Sequence, residues 1–206
     1  MAYVLGFFAA DGYITVNRRG GQFWSIQITD EGLIYKIKQV VGAEHRVGFR
    51  KGTGNTEDSF RLQIGSIEMC YDLRKLGFRE RKTKSLAVPN VPQKHFSDFV
   101  RGYFDGDGNV WVGILHKNRK TCNLGIMTMF TSCSHVFLKQ LHEKLHTEGL
   151  CGGYLYRSKK NYSRLQFSTN DSLKLHDFMY NSRILETGLF LQRKKTIFEK
   201  YKSLRL

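Results

Sequence analysis

Hydrophobic and polar positions alternate along several short segments of this 206-residue chain. The segment 60–66, "FRLQIGS", alternates strictly between the two types, which is typical of a strand that buries one face. Other segments repeat apolar positions every three to four residues, as amphipathic helices do. These patterns predict strands at 13–18, 22–29, 45–51, 58–65, 109–117, 121–131, 153–158 and 162–168. They predict helices at 3–11, from a "TDEG" cap to Gly42, and at 66–76, 99–106, 134–147, 170–181 and 192–203.

The chain also repeats itself at about half its length. The stretch "YVLGFFAADGYITV" (3–16) returns as "FVRGYFDGDGNVWV" (99–112), and "FRLQIGS" (60–66) returns as "SRLQFST" (163–169). A weaker third match joins "RKTKSL" (81–86) to "RKKTIF" (193–198). Because the three matches keep the same order, they indicate two structurally similar halves.

The repeat and the periodicities together predict an α/β (α+β) fold. It comprises two pseudo-symmetric αββαββα halves, each a four-stranded antiparallel saddle sheet backed by helices on its apolar face. We assign residues 1–78 to the N-terminal half, 79–95 to a linker and 96–206 to the C-terminal half. The linker holds both prolines of the chain, which makes it a stiff connection.

The net charge of the chain limits the kinds of ligand that we expect it to bind. Lys and Arg number 33 against 18 Asp and Glu, which gives a net charge of +15 and an isoelectric point near 9.8. A folded domain this basic most often binds a polyanion, usually nucleic acid. A membrane surface is the alternative, but no basic amphipathic helix supports it. The remaining alternative is a soluble protein that is basic but binds no polyanion.

The cysteines and the first apolar run indicate the cellular compartment of the protein. The four cysteines show no C-x-x-C spacing, so a zinc site built from them is not expected. The run at 2–10 lacks a charged leading segment and is too short to span a bilayer. We therefore expect an intracellular protein, in a bacterial cytoplasm or an organelle, that is not secreted.

Polar strand positions form the predicted nucleic-acid surface. Arg, Lys, Asn and Gln read base edges and grip phosphates, whereas a merely solvated sheet face would contain more Glu and Asp. In the first half the predicted contacts are Asn17, Arg18, Arg19, Gln22, Ser25, Gln27, Arg46, Arg50, Arg61 and Gln63. In the second half they are Trp111, Lys117, Arg119, Lys120, Asn123, Tyr154, Tyr156, Arg157, Arg164 and Gln166. Strands of this kind suit duplex DNA better than A-form RNA, whose major groove is too narrow.

The repeated motif helices carry small residues four positions apart: Gly6 and Ala10 on the first, Gly102 and Gly106 on the second. Residues at i and i+4 share one helix face, so each helix presents a stripe that allows close backbone packing. Packing along these stripes predicts a central helix–helix interface that brings the two helix ends together.

Asp11 and Asp107 occupy matching positions at those two ends. Two carboxylates beside a polyanion repel each other unless a cation lies between them, and oxygen ligands with room for water suit Mg²⁺. The alternative is that both Asp-Gly pairs are ordinary turns. An EF-hand is excluded, because "DGDGNV" places Val110 and His116 where that loop needs Gly and Glu.

"LGFFAADG" and "RGYFDGDG" resemble the LAGLIDADG motif, and the spaced pair resembles a single-chain LAGLIDADG homing endonuclease over essentially the whole chain. The resemblance implies a meganuclease that hydrolyses phosphodiester bonds at a long asymmetric site in double-stranded DNA and leaves 3′ overhangs. It implies a monomer that needs no protein partner and no membrane, and that uses Mg²⁺, with Mn²⁺ or Ca²⁺ able to occupy the same sites.

The resemblance also assigns residues. Asp11 and Asp107 become the metal-binding catalytic acids, with Ala10 and Gly106 beside them in the metal site. Basic residues near the centre are expected to be Lys82 and Lys194, as catalytic groups, or else as phosphate contacts only. Supporting residues around the site are expected to be Asp30, Ser132, Lys84 and Lys195. The first motif departs from the second, because Ala9 stands where the second has Asp105.

Three other functions compete with the nuclease interpretation. "HEKLH" (142–146) fits the zinc-protease pattern H-E-x-x-H, but no third ligand follows at a characteristic spacing and the helix has an ordinary apolar face. We therefore expect surface histidines on a helix that backs the sheet. A DNA-binding regulator that has lost cleavage, and an intron RNA maturase, both stay open, although retention of both final acids favours the nuclease.

Overall fold

The computed structural model describes residues 1–80, 82–115, 123–181 and 188–205, with the side chain of Lys82 left out. The helices are α1 (Ala2–Asp11), α2 (Glu31–Val41), α3 (Ile67–Lys75), α4 (Phe96–Asp107), α5 (His135–Thr147), α6 (Thr169–Met179) and α7 (Gln192–Ser203). The strands are β1 (Gly12–Val16), β2 (Gln22–Ile28), β3 (Gly48–Arg50), β4 (Ser59–Gly65), β5 (Gly108–Leu115), β6 (Asn123–Ser132), β7 (Tyr154–Arg157) and β8 (Ser163–Phe167). Short 3₁₀ turns lie at Lys82–Lys84 and Gln93–His95.

The predicted fold class is confirmed. Each half contains a four-stranded antiparallel sheet, with strand order β1-β2-β4-β3 in the first and β5-β6-β8-β7 in the second. The two orders are the same when the second is renumbered, as expected of two halves with one topology. Every predicted helix and strand that lies among the described residues is present. The largest differences are a shorter β3 and an α4 that begins three residues before the predicted segment.

Helix ends follow the capping chemistry of the sequence. Asp30, Ser66 and Ser134 each precede a helix, and each side chain accepts a hydrogen bond from a backbone amide three residues later. Gly42 ends α2 in the left-handed conformation, with φ +70°, which favours glycine. These residues fix where α2, α3 and α5 begin and where α2 ends.

Strand register divides each sheet into two faces. In the first sheet Ile14, Trp24 and Ile64 lie opposite one another, and all three are buried. The intervening positions place Gln63 opposite Ser25 on the other face. Because directly paired residues share a face, one face packs on the helices and the other is the polar face predicted from the alternation.

Helices α1 and α4 pack against each other at the centre of the molecule. A Cβ added at Gly6 would overlap the Phe99 carbonyl, and one added at Gly102 would overlap the Tyr3 carbonyl. The backbones are therefore in direct contact along the predicted glycine stripes. Helix α1 is mostly buried, which explains its nearly uniform apolar sequence.

No helix among the described residues is long and apolar enough to cross a bilayer.

Candidate active centre and nucleic-acid interface

The paired helices α1 and α4 end side by side and carry Asp11 and Asp107 at their last positions, where both side chains are exposed. A Cβ added at Gly106 would lie 2.8 Å from the Asp11 Oδ2 atom, so this carboxylate rests against the end of α4. Both carboxylates also act electrostatically on the same buried phenol, Tyr103. The structure thus brings together the two acids that the repeat pairs.

Tyr103 lies beneath the two carboxylates. Its hydroxyl donates a 2.8 Å hydrogen bond to the Thr131 carbonyl. Burial, followed by the negative charge of Asp107, raises the pKa of Tyr103 well above its ordinary value. Asp11 adds to the rise, whereas a hydrogen bond with Ser132 opposes it. Tyr103 therefore remains a neutral phenol next to the acids.

Lys194 closes the end of α4 from the other side. Its ammonium donates to the carbonyls of Phe104 at 2.6 Å, Asp105 at 2.8 Å and Gly108 at 2.6 Å, and lies 3.4 Å from the Gly106 carbonyl. The Gly108 amide also donates to the Phe104 carbonyl, whereas the Asp105 and Gly106 carbonyls are among those that a helix end leaves without intrahelical donors. A cation there also interacts favourably with the helix dipole. Only 5 % of Lys194 is exposed, and burial lowers its pKa to about 8 despite the nearby acids.

Asp105 is a buried acid without a counterpart in the first half. Its Oδ2 atom accepts hydrogen bonds from the Tyr3 hydroxyl at 2.8 Å and from the Leu191 amide at 2.9 Å. Its Oδ1 atom is buried and has no hydrogen-bond partner among the described residues. Burial raises the pKa of Asp105 to about 6, against the lowering effect of those two hydrogen bonds and of Lys194. In the first motif the same position is Ala9, which is also buried.

The donor chemistry at the paired helix ends fits a hard divalent cation. Two exposed carboxylates stand at the carbonyl ends of two helices, beside Ala10 and Gly106. Among the described residues no group of three or more His, Cys, Asp or Glu side chains could hold a metal ion. The protein therefore offers two acids and backbone oxygens, which leaves coordination positions for water or phosphate oxygens, as Mg²⁺ prefers.

The other residues predicted to support the active centre do not all lie next to it. Ser132 is buried and hydrogen-bonds Tyr103, whereas the Asp30 carboxylate caps α2. The residue that matches Asp30 structurally is Ser134, the cap of α5, rather than Ser132. The ammonium of Lys195 lies 2.6 Å from Glu199 on α7. Lys84 is exposed, and the side chain of Lys82 lies outside the described residues.

Most predicted DNA contacts lie on the outer sheet faces or in exposed loops that border them. On the outer faces, by strand register, are Ser25, Gln27, Arg50, Arg61, Gln63, Trp111, Asn123, Tyr154, Tyr156, Arg164 and Gln166. Asn17, Arg18, Arg19 and Arg46 are exposed in loops, and Asn17 also accepts backbone hydrogen bonds within its turn. Lys117, Arg119 and Lys120 lie outside the described residues.

Three residues of the predicted surface do not lie on an accessible outer face. Gln22 pairs with Val16, on the helix-backed face, and accepts a 2.6 Å hydrogen bond from Arg74 of α3. Arg157 alternates with Tyr156 and therefore belongs to the opposite face, although it is exposed at the strand end. Ser25 has the predicted orientation but is fully buried between its strand neighbours, so it is not available to a ligand.

Outer-face residues that were not predicted include Tyr13, Phe23, Asn109, Met127, Met129 and Thr131. The alternation of the strands contained the signal for them. Phe23, Met127 and Met129 were missed because a search centred on polar side chains passes over apolar ones, which contact bases through apolar surface.

Comparison with known proteins supports the resemblance. Residues 1–47 match the family described as the LAGLIDADG-like domain. A structure of I-SmaMI bound to cleaved DNA is similar over 98% of this chain and 87% of that one, with a TM-score of 0.64 and 12% identity. A structure of the I-LtrWI LAGLIDADG homing endonuclease bound to target DNA is similar over 98% of this chain and 88% of that one, with a TM-score of 0.60 and 16% identity.

A further structure, of I-SmaMI bound to an uncleaved DNA target in the presence of calcium ions, covers 86% of this chain and 84% of that one, with a TM-score of 0.57 and 14% identity. The search of curated sequences finds no match. At these identities the similarity establishes the fold. The predicted resemblance to single-chain LAGLIDADG homing endonucleases is confirmed by the motif match and by the shared architecture of both halves.

Proposed function

We propose that this chain is a site-specific, divalent-metal-dependent endonuclease of double-stranded DNA. The observation that carries the proposal is the convergence of Asp11 and Asp107 at the joined ends of α1 and α4. Two polar sheet faces and a net charge of +15 supply the surface for a polyanion. The similar structures of I-SmaMI and I-LtrWI contain DNA, which agrees with this use of the fold.

Asp11 and Asp107 would hold the cation, Mg²⁺ in the cell, with Mn²⁺ or Ca²⁺ able to replace it. The presence of calcium in one I-SmaMI structure supports a divalent-metal site in this fold. A bound divalent cation supplies charge neutralisation at the scissile phosphate and a more acidic water. The carbonyl oxygens of Ala10 and Gly106, which the resemblance assigns to the metal site, would be further ligands.

The protein's own contribution is positioning. The glycine contacts between α1 and α4 fix the separation of the two acids, because neither backbone can move closer. Lys194 holds the terminal carbonyls of α4 in place, and Tyr103 remains a neutral hydrogen-bond donor beneath the acids. A rigid constellation of this kind reduces the reorganisation needed during the reaction.

Differences between the two outer faces predict an asymmetric target. The first sheet presents Gln27, Arg61 and Gln63, whereas the second presents Trp111 and the stacked pair Tyr154 and Tyr156, whose ring centroids are 5.6 Å apart. Arg and Gln recognise base edges through hydrogen bonds, whereas aromatic rings make apolar contacts. A single chain with two unlike faces would therefore bind unlike half-sites. Cleavage that leaves 3′ overhangs rests on the resemblance to LAGLIDADG homing endonucleases.

The test is cleavage of a randomised duplex library in Mg²⁺ by the wild type and by Asp107→Asn. Because Asp107 is exposed, the variant should fold. We expect long asymmetric cut sites that disappear in the variant, while binding to the selected duplex persists in EDTA. Binding without cleavage by the wild type would overturn the nuclease proposal. A DNA-binding regulator and an intron maturase would remain, and binding to intron RNA would separate them.

A further inference from the structure

A histidine pair on α5 lies outside the candidate active centre. His142 and His146 are one helical turn apart, and their Nε2 atoms are 2.9 Å from each other. The Nε2 atom of His142 is also 2.9 Å from the Gly152 carbonyl oxygen. Two ring nitrogens and one oxygen therefore converge at one point between α5 and the segment that leads into β7.

No placement of protons gives all three of these atoms a hydrogen-bond partner of their own. If His142 carries its proton on Nε2, a single N–H faces both the Gly152 carbonyl and the ring nitrogen of His146. If the proton is on the other nitrogen, a lone pair of His142 faces the carbonyl lone pairs. A cation bound by both imidazoles would use all three atoms as electron-pair donors.

The backbone near His142 and His146 allows the Gly152 carbonyl to approach the imidazole closely. Gly153 has φ +112°, which disfavours a side chain, and a Cβ added there would lie 2.8 Å from the His142 Nε2 atom. A Cβ added at Gly152 would overlap the Asp171 carboxylate. The two glycines thus let the chain bring a carbonyl oxygen against the imidazole. The His142 ring is held from another side by edge contact with Phe167.

The pair has nearly the spacing of a metal chelate. Zinc–nitrogen bonds are about 2.0–2.1 Å, so two imidazoles of a tetrahedral ion place their nitrogens roughly 3.3 Å apart. The observed 2.9 Å requires a shift of only a few tenths of an ångström, within reach of the exposed His146 side chain. Histidines four residues apart on one helix face can bind a single ion together.

We propose that His142 and His146, with the Gly152 carbonyl oxygen, bind a borderline transition-metal cation such as Zn²⁺ or Ni²⁺. The site differs in chemistry from the carboxylate pair, because imidazole suits these ions and carboxylate with water suits Mg²⁺. Among the described residues no third His, Cys, Asp or Glu completes the set, so water fills the remaining positions. Glu143 lies 3.9 Å from Lys139 rather than with the histidines, which separates this site from a zinc protease.

The consequence of binding concerns the edge of the second sheet. Gly152 lies two residues before β7, which carries the outer-face residues Tyr154 and Tyr156. A metal that joins α5 to Gly152 would restrain the entry to this edge strand. We therefore expect residues 150–157 to exchange amide hydrogens more slowly when the metal is bound.

The experiment is a calorimetric titration of the full chain, without DNA, Mg²⁺ or an affinity tag, with ZnCl₂ and separately with NiCl₂. We expect one saturable site in the wild type that excess MgCl₂ does not displace. His146→Ala should weaken binding at least tenfold and abolish the metal-induced protection of 150–157. His45→Ala, which removes an exposed histidine of the first half, should bind as the wild type does.

Cys151→Ser distinguishes the histidine pair from a thiolate site, because Cys151 is exposed beside Gly152. Wild-type affinity in Cys151→Ser supports the proposal. Loss of binding in Cys151→Ser with retention in His146→Ala would overturn it, as would the absence of saturable binding in the wild type. Since no DNA is present, these outcomes are independent of whether the chain is a nuclease.

Discussion

The phenol of Tyr3 on α1 donates a 2.8 Å hydrogen bond to the carboxylate of Asp105 on α4. The same carboxylate oxygen accepts from the Leu191 amide, at the beginning of α7. One buried acid thus links both motif helices to the helix that carries Lys194. This link exists in the second half alone, because Ala9 replaces the acid in the first.

The raised pKa of Asp105 gives a prediction for stability against pH. The folded pKa is about 6 and the ordinary value is 3.8, so between these values the folded state holds a proton that the unfolded state releases. The free energy of unfolding should therefore fall as pH rises from about 4 to about 6, by a contribution on the order of 3 kcal/mol from this group. Asp105→Asn, which cannot ionise, should lack that contribution.

Urea unfolding of the wild type and of Asp105→Asn at half-unit pH intervals gives the difference between their free energies of unfolding. The contributions of other titrating groups are common to both proteins and cancel in this difference. A difference between the wild type and Asp105→Asn that stays constant from pH 4 to pH 7 would contradict the buried, proton-binding state. The variant amide can still accept from Tyr3 and Leu191 through its oxygen, so we expect it to fold.

Lys194→Met should destabilise the protein, because it removes the ammonium that donates to the buried Asp105 carbonyl and to the carbonyls of Phe104 and Gly108. Leaving a buried polar group unsatisfied costs roughly 1–3 kcal/mol, so a loss of about 3 kcal/mol is expected. Lys195→Ala is the matched control, since its partly exposed pairing with Glu199 is worth only about 0.3–0.5 kcal/mol.

Chemical denaturation and cleavage rates of the Lys194 and Lys195 variants should be measured together. We expect Lys194→Met to lose stability and cleavage in parallel. A variant with wild-type stability and no cleavage would instead show that Lys194 acts chemically, and that its carbonyl contacts do not hold the helix end.

The sequence was informative where the repeat constrained it. Asp11 and Asp107, and the glycine stripes beside them, could be paired because the two motifs match residue by residue. Gln22 and Arg157 were assigned to the wrong face because side chains alternate strictly, so the choice of face depends on knowing the phase of the strand. Lys194 was expected near the centre, but its burial against the α4 carbonyls was not, since the repeated "RK" segment fits a solvent-facing cation as well as a buried helix cap.

Gly6→Ala should disrupt the central interface. The added methyl would overlap the Phe99 carbonyl, which belongs to a helix backbone and cannot rotate away. Overpacking of this kind costs roughly 1–3 kcal/mol, and the upper end or more is expected for a clash with backbone. Gly32→Ala provides the control, because this exposed glycine of α2 has room for a methyl and the change should stabilise the helix by up to about 1 kcal/mol.

Urea midpoints for the two alanine variants give the comparison. If Gly6→Ala were as stable as the wild type, then α1 and α4 could not be in backbone contact. The contact would then not fix the separation of Asp11 and Asp107 either.

The two faces of the first sheet should differ in their contribution to DNA binding. Arg61 lies on the outer face, is exposed and is paired in register with Gln27, whereas Gln22 lies on the helix-backed face and binds Arg74. Arg61→Ala should therefore weaken binding to the selected DNA site, by about 1–3 kcal/mol if the guanidinium reads a base. Gln22→Ala should leave DNA affinity unchanged. Fluorescence anisotropy in Ca²⁺, at several salt concentrations, measures both.

The salt dependence identifies the kind of contact that Arg61 makes. Loss of a phosphate contact should reduce the slope of log affinity against log salt by about one and weaken all sequences alike. Loss of a base contact should relax specificity at one position of the site. If Gln22→Ala weakened binding more than Arg61→Ala, the helix-backed face rather than the outer face would be the one in contact with DNA, and the proposed interface would be wrong.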